Sequence, residues 1–416
     1  MSHSSPPLVR RAGPLAVAGL VVVVLVAWGW LRTDAGPVTA RASAPAAAPA
    51  AGVHVAAPTQ APTPATVDAL PTYREWDTYT TANGLPSNKV FVVRVDGARV
   101  WAGTDRGLAK FEDGRWTVFG VKDGLPHPVV LTIDVSRQTG DVWIGTMGGL
   151  ARYSGGRIDA FTQLTSGLTN DFVNDVEADS VQPYIWVATA MGLCRLDLAT
   201  GHWSVFTEEN TPMHEPWVYS VAAGPNAVWV GAWGAGVLEI ARSTGTWRPY
   251  RDPDKEMEID LLPDDGPVHD VTSSVDFQEH VLWQATYFGV ARYDGHHWRS
   301  YFRENSGLAS NFVSFVRARG RIAWLATDNG LSATDGDGWV TYRRNAAGKG
   351  DLLEFAGGAE PSAKRPLASG PAHNYVLGVD FQGDDLWVAT EGGVSHAHAS
   401  PNPQTRIPSP AGDHTH

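Results

Sequence analysis

Histidines recur just before several β-branched runs of the sequence, and their spacing could bring them to one site. When the runs are aligned, with Val271 as the start of the fifth, His127 and His373 share one position. His269 then falls one residue later and His214 one residue earlier. Imidazole nitrogens are ligands for copper, zinc and iron. The sequence therefore raises the hypothesis of a transition-metal site (copper, zinc or iron) that would support a lyase or oxidoreductase reaction.

Aromatic and amide side chains in the same turns support a different hypothesis, a site that binds a ligand without catalysis. Aromatic rings can stack on sugar rings or on the side chains of a partner, although they can equally pack a rim with no ligand. Amides at the histidine positions show that a plain hydrogen-bonding rim is the alternative to a metal site. The candidate ligand-binding residues are Trp217, Trp233, Tyr287, Phe288, Asn88, Asn311 and Asn374.

These turns belong to a repeat that predicts the scaffold. A tryptophan, a small-residue step and then Gly-Leu or Gly-Val occur seven times, from WAGTDRGL at Trp101 to WVATEGGV at Trp387. A short aromatic strand also occurs seven times, from EWDTY at Trp76 to GWVTY at Trp339. Each unit of about 40 residues thus holds four short strands, as a β-propeller blade does.

The order of these motifs predicts how the ring closes. The first strand in the chain is an outer strand, at Trp76, and the last unit lacks one. The N-terminal strand is therefore predicted to complete the C-terminal blade, which removes two open sheet edges. The predicted fold is all-β, a seven-bladed propeller over residues 72–398, closed by an N-terminal outer strand. The repeated tryptophans are predicted to pack between neighbouring blades.

The N-terminal segment predicts where the propeller resides. Residues 14–31 carry no charge and are long enough for one membrane-spanning helix. Arg10 and Arg11 precede them, so residues 1–13 are expected in the cytoplasm and the rest outside it. A signal peptide cleaved near Ala44 is the alternative. The chain is thus predicted to be a single-pass inner-membrane protein with a periplasmic or otherwise extracytoplasmic propeller.

The sequence also makes predictions for the linker, the C-terminal tail and two long insertions. Residues 32–71 are an Ala/Pro-rich linker, and residues 399–416 are expected to form a disordered, histidine-containing tail. Metal could also bind loosely to tail histidines. Two long insertions, an acidic one at 251–267 and a more basic one at 343–371, are expected to overhang the channel mouth. His396 and His398, at the end of the predicted propeller range, are grouped with the tail histidines His414 and His416.

Composition excludes some partners. The net charge of −12 argues against nucleic acid, which is bound by basic surfaces. The one cysteine, Cys194, excludes an intrachain disulfide, and its apolar context indicates a buried side chain. No nucleophile elbow, phosphate loop or dinucleotide fingerprint is present, which leaves catalysis unsupported by motifs.

Two stretches resemble the bacterial two-component regulator propeller repeat. They are GLPSNKVFVVRVDGARVWAGTDRGLAKFEDG at 84–114 and GLPHPVVLTIDVSRQTGDVWIGTMGGLARYSGG at 124–156. The resemblance extends from Trp76 to about His398 and implies the propeller fold. Propellers of that family often form the extracytoplasmic sensors of hybrid signalling kinases. No kinase follows this propeller, so the chain is expected to signal only through a partner.

Together these features predict a non-enzymatic, membrane-tethered binding or sensor-type module. In a propeller, the turns that hold the candidate residues surround one mouth of the central channel, the concave place where ligands bind by default. The expected ligand is a glycan, a peptide or an envelope protein. The alternative is the metal-dependent site formed by His127, His214, His269 and His373.

Overall fold

The described part of the chain folds as a ring of seven antiparallel sheets. A computed structural model describes residues 70–252 and 266–399. In six of the sheets the strands are hydrogen-bonded in chain order, from the strand that lines the central channel outward. In the seventh sheet the last three strands of the chain follow the same order, and the first strand of the chain forms the outer edge. The prediction of a seven-bladed propeller is confirmed.

The strands follow one another from a closure strand to the last blade. The closure strand is β1 (Tyr73–Tyr79). Blades 1 to 3 consist of β2 (Val90–Asp96), β3 (Arg99–Thr104), β4 (Gly107–Glu112), β5 (Arg115–Phe119), β6 (Val130–Val135), β7 (Val142–Thr146), β8 (Gly149–Ser154), β9 (Arg157–Phe161), β10 (Val173–Ala178), β11 (Tyr184–Thr189), β12 (Gly192–Asp197) and β13 (Trp203–Phe206). Short 3-10 helices precede blades 1 and 2, at Thr81–Asn83 and Val121–Asp123.

The remaining strands build blades 4 to 7. Blade 6 is the longest, because it continues through β27. These strands are β14 (Val218–Ala223), β15 (Ala227–Ala232), β16 (Gly236–Ala241), β17 (Trp247–Tyr250), β18 (Thr272–Gln278), β19 (Val281–Thr286), β20 (Gly289–Tyr293), β21 (Trp298–Tyr301), β22 (Val313–Arg319), β23 (Ile322–Thr327), β24 (Gly330–Thr334), β25 (Trp339–Arg344), β26 (Gly350–Phe355), β27 (Ala363–Leu367), β28 (Val376–Gln382), β29 (Asp385–Thr390) and β30 (Gly393–Ala399).

The repeated Thr-x-x-Gly step makes the turn between the second and third strands of a blade. In blade 1 the Thr104 hydroxyl donates to the Gly107 carbonyl at 2.8 Å and accepts the Arg106 N–H at 3.0 Å. Gly107 has φ +139°, and a Cβ there would meet the Phe119 carbonyl oxygen at 2.7 Å. Glycine is required because other residues rarely adopt this conformation and none would fit. The motif thus forms the turn between the second and third strands in six of the seven blades.

Seven hydrophobic clusters fill the spaces between neighbouring blades. Trp101 of blade 1, for example, packs with Val130, Ile133 and Ile144 of blade 2. The prediction that the repeated tryptophans lie between blades is confirmed. They are at most 5% exposed and are Trp101, Trp143, Trp186, Trp229, Trp283, Trp324 and Trp387.

The ring closes as predicted, by pairing β1 with β30. Trp76 lies opposite Ala397, and Asp77 lies opposite His396. His396 and His398 are therefore strand residues of blade 7, and the expectation that they belong to a disordered tail is wrong. The reason is that the N-terminal strand supplies hydrogen-bond partners for the chain through Ala399.

The insertion at 343–371 forms a hairpin on the outer edge of blade 6. Strands β26 and β27 extend the sheet to six strands, so the expectation that this segment overhangs the mouth is wrong. Leu352 and Leu367 of the hairpin pack with Trp76 of the closure strand. The Trp76 backbone N–H also donates to the Ser369 hydroxyl at 3.0 Å. Apolar residues in the insertion therefore direct it onto the closure strand.

Several predicted segments lie outside the described residues. They are the predicted cytoplasmic segment 1–13 and membrane helix 14–31, the linker before residue 70, most of the acidic insertion (253–265), and His414 and His416. Within residues 70–252 and 266–399, no helix has both the length and the apolar character needed to cross a membrane.

Candidate functional site

Three of the four candidate histidines occupy one structural position at the channel mouth, three residues before an inner strand. The inner strand of blade 5 begins at Thr272, so His269 stands before it as His127 and His373 stand before theirs. The sequence alignment on Val271 was wrong by one residue, because this strand begins with threonine where the other six begin with valine. His214 remains one residue earlier and is exposed.

Each of these three histidines caps its own turn. The Nδ1 atoms of His127 and His269 accept the backbone N–H of Val129 at 3.1 Å and of Val271 at 2.9 Å. Nδ1 of His373 accepts the N–H two residues later at 2.9 Å. A neutral imidazole that accepts at Nδ1 carries its proton on Nε2, which is then a donor. Nε2 therefore offers no lone pair to a metal unless the cap is broken.

Serine and asparagine perform the same capping in other blades. The Ser87 hydroxyl accepts the Lys89 N–H at 3.1 Å, and the Asn170 side chain accepts the Phe172 N–H at 2.8 Å. Ser310 forms the equivalent bond in blade 6, at 3.3 Å. Side chains of this kind bond readily to a backbone N–H two residues on. The histidine positions are thus first of all turn caps, which explains why they recur.

The structure does not bring the four histidines together as a metal site. Among the described residues, one group of three or more metal-ligating side chains has donor atoms within 4.8 Å of one another. That group is Asp77, His396 and His398, on the outer seam of blade 7. Burial lowers the pKa of His127 and of His269, which favours their neutral forms.

The three candidate asparagines fasten the connections that lead into the mouth. Each Oδ1 atom accepts a backbone N–H from a residue at, or just beyond, the end of the fourth strand of the preceding blade. These bonds hold both ends of a connection together and so position the mouth. Ligand binding by the asparagines stays a prediction. The bonds join Asn88 to Thr81, Asn311 to Arg303 and Asn374 to Arg344, at 2.8, 2.7 and 2.6 Å.

Aromatic rings from blade 4 form one half of a patch at the mouth. Tyr219 lies between the two predicted residues, with ring centroids 6.1 Å from Trp217 and 5.9 Å from Trp233. Trp233 is 39% exposed and presents its ring to solvent. Tyr219 follows the first residue of the inner strand, so its side chain belongs to the channel wall.

Rings from blades 5 to 7 form the other half. Tyr287 stacks on Phe312 with centroids 4.5 Å apart and planes 3° apart, and Phe312 meets Tyr375 edge-on at 6.4 Å. The two halves adjoin, because Tyr287 and Tyr219 are close enough to interact electrostatically. Phe288 instead stacks on His269 at 4.3 Å, which covers one face of its ring.

The sequence analysis missed three members of this patch. Phe312 and Tyr375 stand directly before the first valine of their inner strands, as Trp217 does. That alignment was a usable signal, since one aromatic residue in this position predicts the role of the others. Tyr219 had a weaker signal, because the same position in other blades holds residues such as Asn174.

Three tyrosine hydroxyls in the patch are hydrogen-bond donors with no partner among the described residues. They belong to Tyr219, Tyr287 and Tyr375. Burial raises the pKa of Tyr287 to about 12. Burial also raises the pKa of Tyr219, with a contribution from Tyr287, and that of Tyr375, with a contribution from Glu391. All three hydroxyls therefore stay protonated at neutral pH and can donate to a ligand.

Below the mouth, carboxylates of the inner strands join several pairs of neighbouring blades. Asp134 accepts the Ala178 N–H at 2.7 Å, and Asp380 accepts the Val95 N–H at 2.8 Å. Arg94 lies between these two carboxylates, 3.3 Å from Asp134 and 3.8 Å from Asp380. These contacts make the channel wall rigid and charged beneath the aromatic patch.

Glu177 in this wall gives a pH-dependent prediction. Burial, with the carboxylate of Asp134 next, raises the pKa of Glu177 well above its usual value of 4.5, although Arg317 and Arg94 oppose the rise. A carboxyl group with a higher pKa in the folded state lowers stability as pH rises from its unfolded pKa through its folded one. Glu177→Gln should therefore be more stable than wild type at pH 7, with no difference at about pH 4.

Urea unfolding midpoints at several pH values between 4 and 7 would measure this effect. Glu209→Gln is the matched control, because Glu209 is exposed. A difference between Glu177→Gln and wild type that is the same at every pH would contradict the prediction.

Two clefts lie away from the mouth, between blade 5 and the hairpin of blade 6. One, of about 280 Å³, is lined by residues that include Arg299 and Trp339. The other, of about 330 Å³, is lined by residues that include Arg343 and Phe355. Neither contains the unpartnered tyrosine hydroxyls, so the mouth remains the better candidate site.

Comparisons with known proteins agree on the fold. No family model matches the chain, and no curated protein matches it. A solved structure that does match is the extracellular domain of a B. thetaiotaomicron protein described as a hybrid two component system. The TM-score is 0.56 at 15% identity, over 79% of this chain and 42% of that one. The chain thus spans less than half of that domain.

A second similar structure is virginiamycin B lyase from Staphylococcus aureus. Its TM-score is 0.53 at 14% identity, over 78% of this chain and 97% of that one. The first of these structures is thus an extracellular domain of a two component system and the second is an enzyme. Since one fold can carry unrelated activities, likeness at these identities shows the propeller fold alone.

Proposed function

We propose that the chain is an extracytoplasmic, membrane-tethered binding module that takes its ligand at the channel mouth. The ligand has a flat apolar face and hydrogen-bond acceptors at its edge, as a sugar ring of a glycan has. A peptide or an envelope protein with similar side chains is the alternative ligand. The observation that carries the proposal is the aromatic patch with its three unpartnered tyrosine hydroxyls.

The patch combines the two properties that such a ligand needs. The half-buried ring of Trp217 and the exposed ring of Trp233 offer apolar faces for stacking, and the hydroxyls of Tyr287 and Tyr375 offer directed hydrogen bonds. Below them, the inner strands are joined by hydrogen bonds and ion pairs and hold the rings in place, which limits the entropy lost on binding. The ion pair of Lys89 and Glu391, at 3.1 Å, adds charge to the rim between blades 1 and 7.

The predicted location is consistent with this role. A membrane-spanning helix at 14–31 would tether the propeller outside the cytoplasm, and the similar B. thetaiotaomicron structure is an extracellular domain. A metal-dependent lyase or oxidoreductase has less support, because the candidate ligands His127, His269 and His373 use Nδ1 to cap turns.

Removing an aromatic ring from the patch should weaken binding. The test screens glycan fragments and envelope peptides for binding to the full-length protein, and then measures affinity for the best ligand by calorimetry. Trp217→Ala and Tyr287→Ala should each raise Kd about tenfold, the loss expected for one stacking contact of about 1.4 kcal/mol. Tyr287→Phe keeps the ring and reports the hydroxyl alone.

Leu164→Ala is the control. Leu164 is 95% exposed in the connection that leads from blade 2, on the same face but outside the patch. Unchanged Kd in this variant, with weaker binding in the patch variants, supports the proposal. Equal Kd values in all four variants and the wild type would place the ligand elsewhere and overturn it.

A further inference from the structure

The outer seam of blade 7, where the two ends of the propeller meet, holds four titratable side chains outside the mouth. Asp77 comes from the closure strand β1, Asp385 from β29, and His396 and His398 from β30. Asp77 is paired directly with His396 across the β1–β30 ladder. His398 is two residues beyond His396 and so lies on the same face of the sheet.

Distances between these side chains are short. Nε2 of His398 lies 2.9 Å from Oδ2 of Asp77, while its Nδ1 lies 3.4 Å from Oδ2 of Asp385. Nε2 of His396 lies 2.9 Å from the same Asp385 oxygen. One ligand atom from each of Asp77, His396 and His398 fits within 4.8 Å of the others. Ligand atoms in a tetrahedral zinc site are about 3.3 Å apart, so small rotamer changes would suffice.

Two members of the group are held in place by their surroundings. The ring of His396 stacks on Trp387 with centroids 4.1 Å apart and planes 10° apart. Oδ1 of Asp385 accepts the Ala399 N–H at 2.9 Å. In contrast, the side chain of Asp77 is 63% exposed and can move toward an ion that enters from solvent. The group therefore combines two side chains in fixed positions, those of His396 and Asp385, with one ligand that can move, the carboxylate of Asp77.

We propose that Asp77, His396 and His398 bind a divalent transition ion of the Zn²⁺ class. Two imidazole nitrogens and one carboxylate oxygen are a donor set that zinc accepts, with a fourth position left for water. Asp385 lies beside both imidazoles, 2.9 Å from Nε2 of His396 and 3.4 Å from Nδ1 of His398, and so helps to orient the two rings around the ion. Binding releases any proton held on the ligating nitrogens to solvent, since a metal ligand needs the free lone pair.

The site would act on the closure of the ring. Asp77 belongs to the first strand of the propeller, and both histidines belong to the last. A bound ion would therefore connect β1 to β30 through side chains, in addition to their backbone ladder. Because only the folded ring brings these ligands together, Zn²⁺ should raise the unfolding temperature.

The experiment titrates Zn²⁺ into the full-length, untagged protein in detergent by calorimetry and records the unfolding temperature with and without Zn²⁺. We expect one Zn²⁺ per chain at this seam and a higher unfolding temperature with the ion. Asp77→Asn, His396→Ala and His398→Ala should each raise Kd at least tenfold and abolish the Zn²⁺-dependent rise. Asp77→Asn is the variant expected to fold normally, because the side chain is exposed and the change is isosteric.

Two control variants distinguish this site from the other histidines. His414→Ala with His416→Ala removes the second His-x-His pair, and His127→Ala with His373→Ala removes two mouth histidines. Zn²⁺ affinity that survives both controls supports the seam site. Affinity lost in either control and kept in Asp77→Asn and His396→Ala, or no Zn²⁺ binding at all, would overturn the proposal without affecting the mouth.

Discussion

Trp101→Ala is expected to lower the free energy of unfolding by about 3–5 kcal/mol, the range measured for large aromatic residues removed from a core. Trp101 is 0% exposed, and its ring lies 4.9 Å from Tyr153 of the next blade and 6.2 Å from Phe119 of its own. Alanine would leave a cavity at a blade interface whose walls are strands, and strands cannot collapse inward without breaking ladders.

Guanidinium unfolding followed by tryptophan fluorescence and circular dichroism would measure this loss. Trp233→Ala is the matched control, because Trp233 is 39% exposed at the mouth. It should change the free energy of unfolding by less than about 1 kcal/mol, as surface substitutions usually do. Similar losses in the two variants would show that Trp101 does not hold the blades together.

The fold was predictable because each blade carries the same short sequence motifs. The tryptophans and the aromatic outer strands gave the blade count, and the unpaired first and last strands predicted the pairing of β1 with β30. Neither step needs knowledge of distant contacts. The insertion at 343–371 has no counterpart in other blades, so the repeat could not predict its hairpin.

The candidate site was predictable in location and only partly in membership. Trp217, Trp233 and Tyr287 do lie at the mouth, but the ring that stacks on Tyr287 is Phe312, from the next blade. The histidines were singled out by residue type and by their aligned positions before the inner strands. Their capping role depends on which ring nitrogen faces the turn, and a sequence does not carry that information.

The four side chains at the seam of blade 7 and the charged channel wall could not be predicted from the sequence either. Asp77 and His396 are almost at opposite ends of the propeller sequence, and their contact follows only from the register of β1 against β30. In the channel, Arg94 meets carboxylates from blades 2 and 7, on its two sides. Single acidic or basic residues in alternating strands gave no sign that they would converge.

The channel wall leads to the second large prediction. Arg94→Met is expected to lower the free energy of unfolding by about 3–5 kcal/mol, because removing one partner leaves buried charges uncompensated. Arg94 is 9% exposed, and its Nε also donates to the Ile133 carbonyl at 2.9 Å. Methionine keeps most of the side-chain volume, so the loss reports the charge and hydrogen bonds.

Arg319→Met and a double variant test the cause of that loss. Arg319 pairs with Asp384 at 3.4 Å, but their side chains are 49% and 87% exposed, so this change should cost at most about 1 kcal/mol. Adding Asp134→Asn to Arg94→Met should recover part of the loss, since the amide removes the uncompensated charge and its oxygen still accepts the Ala178 N–H. Chemical unfolding of the wild type, Arg94→Met, Asp134→Asn and the double variant gives the coupling energy between Arg94 and Asp134. Strictly additive losses would mean that Arg94 stabilises the ring independently of Asp134, through packing and not through the charge pair.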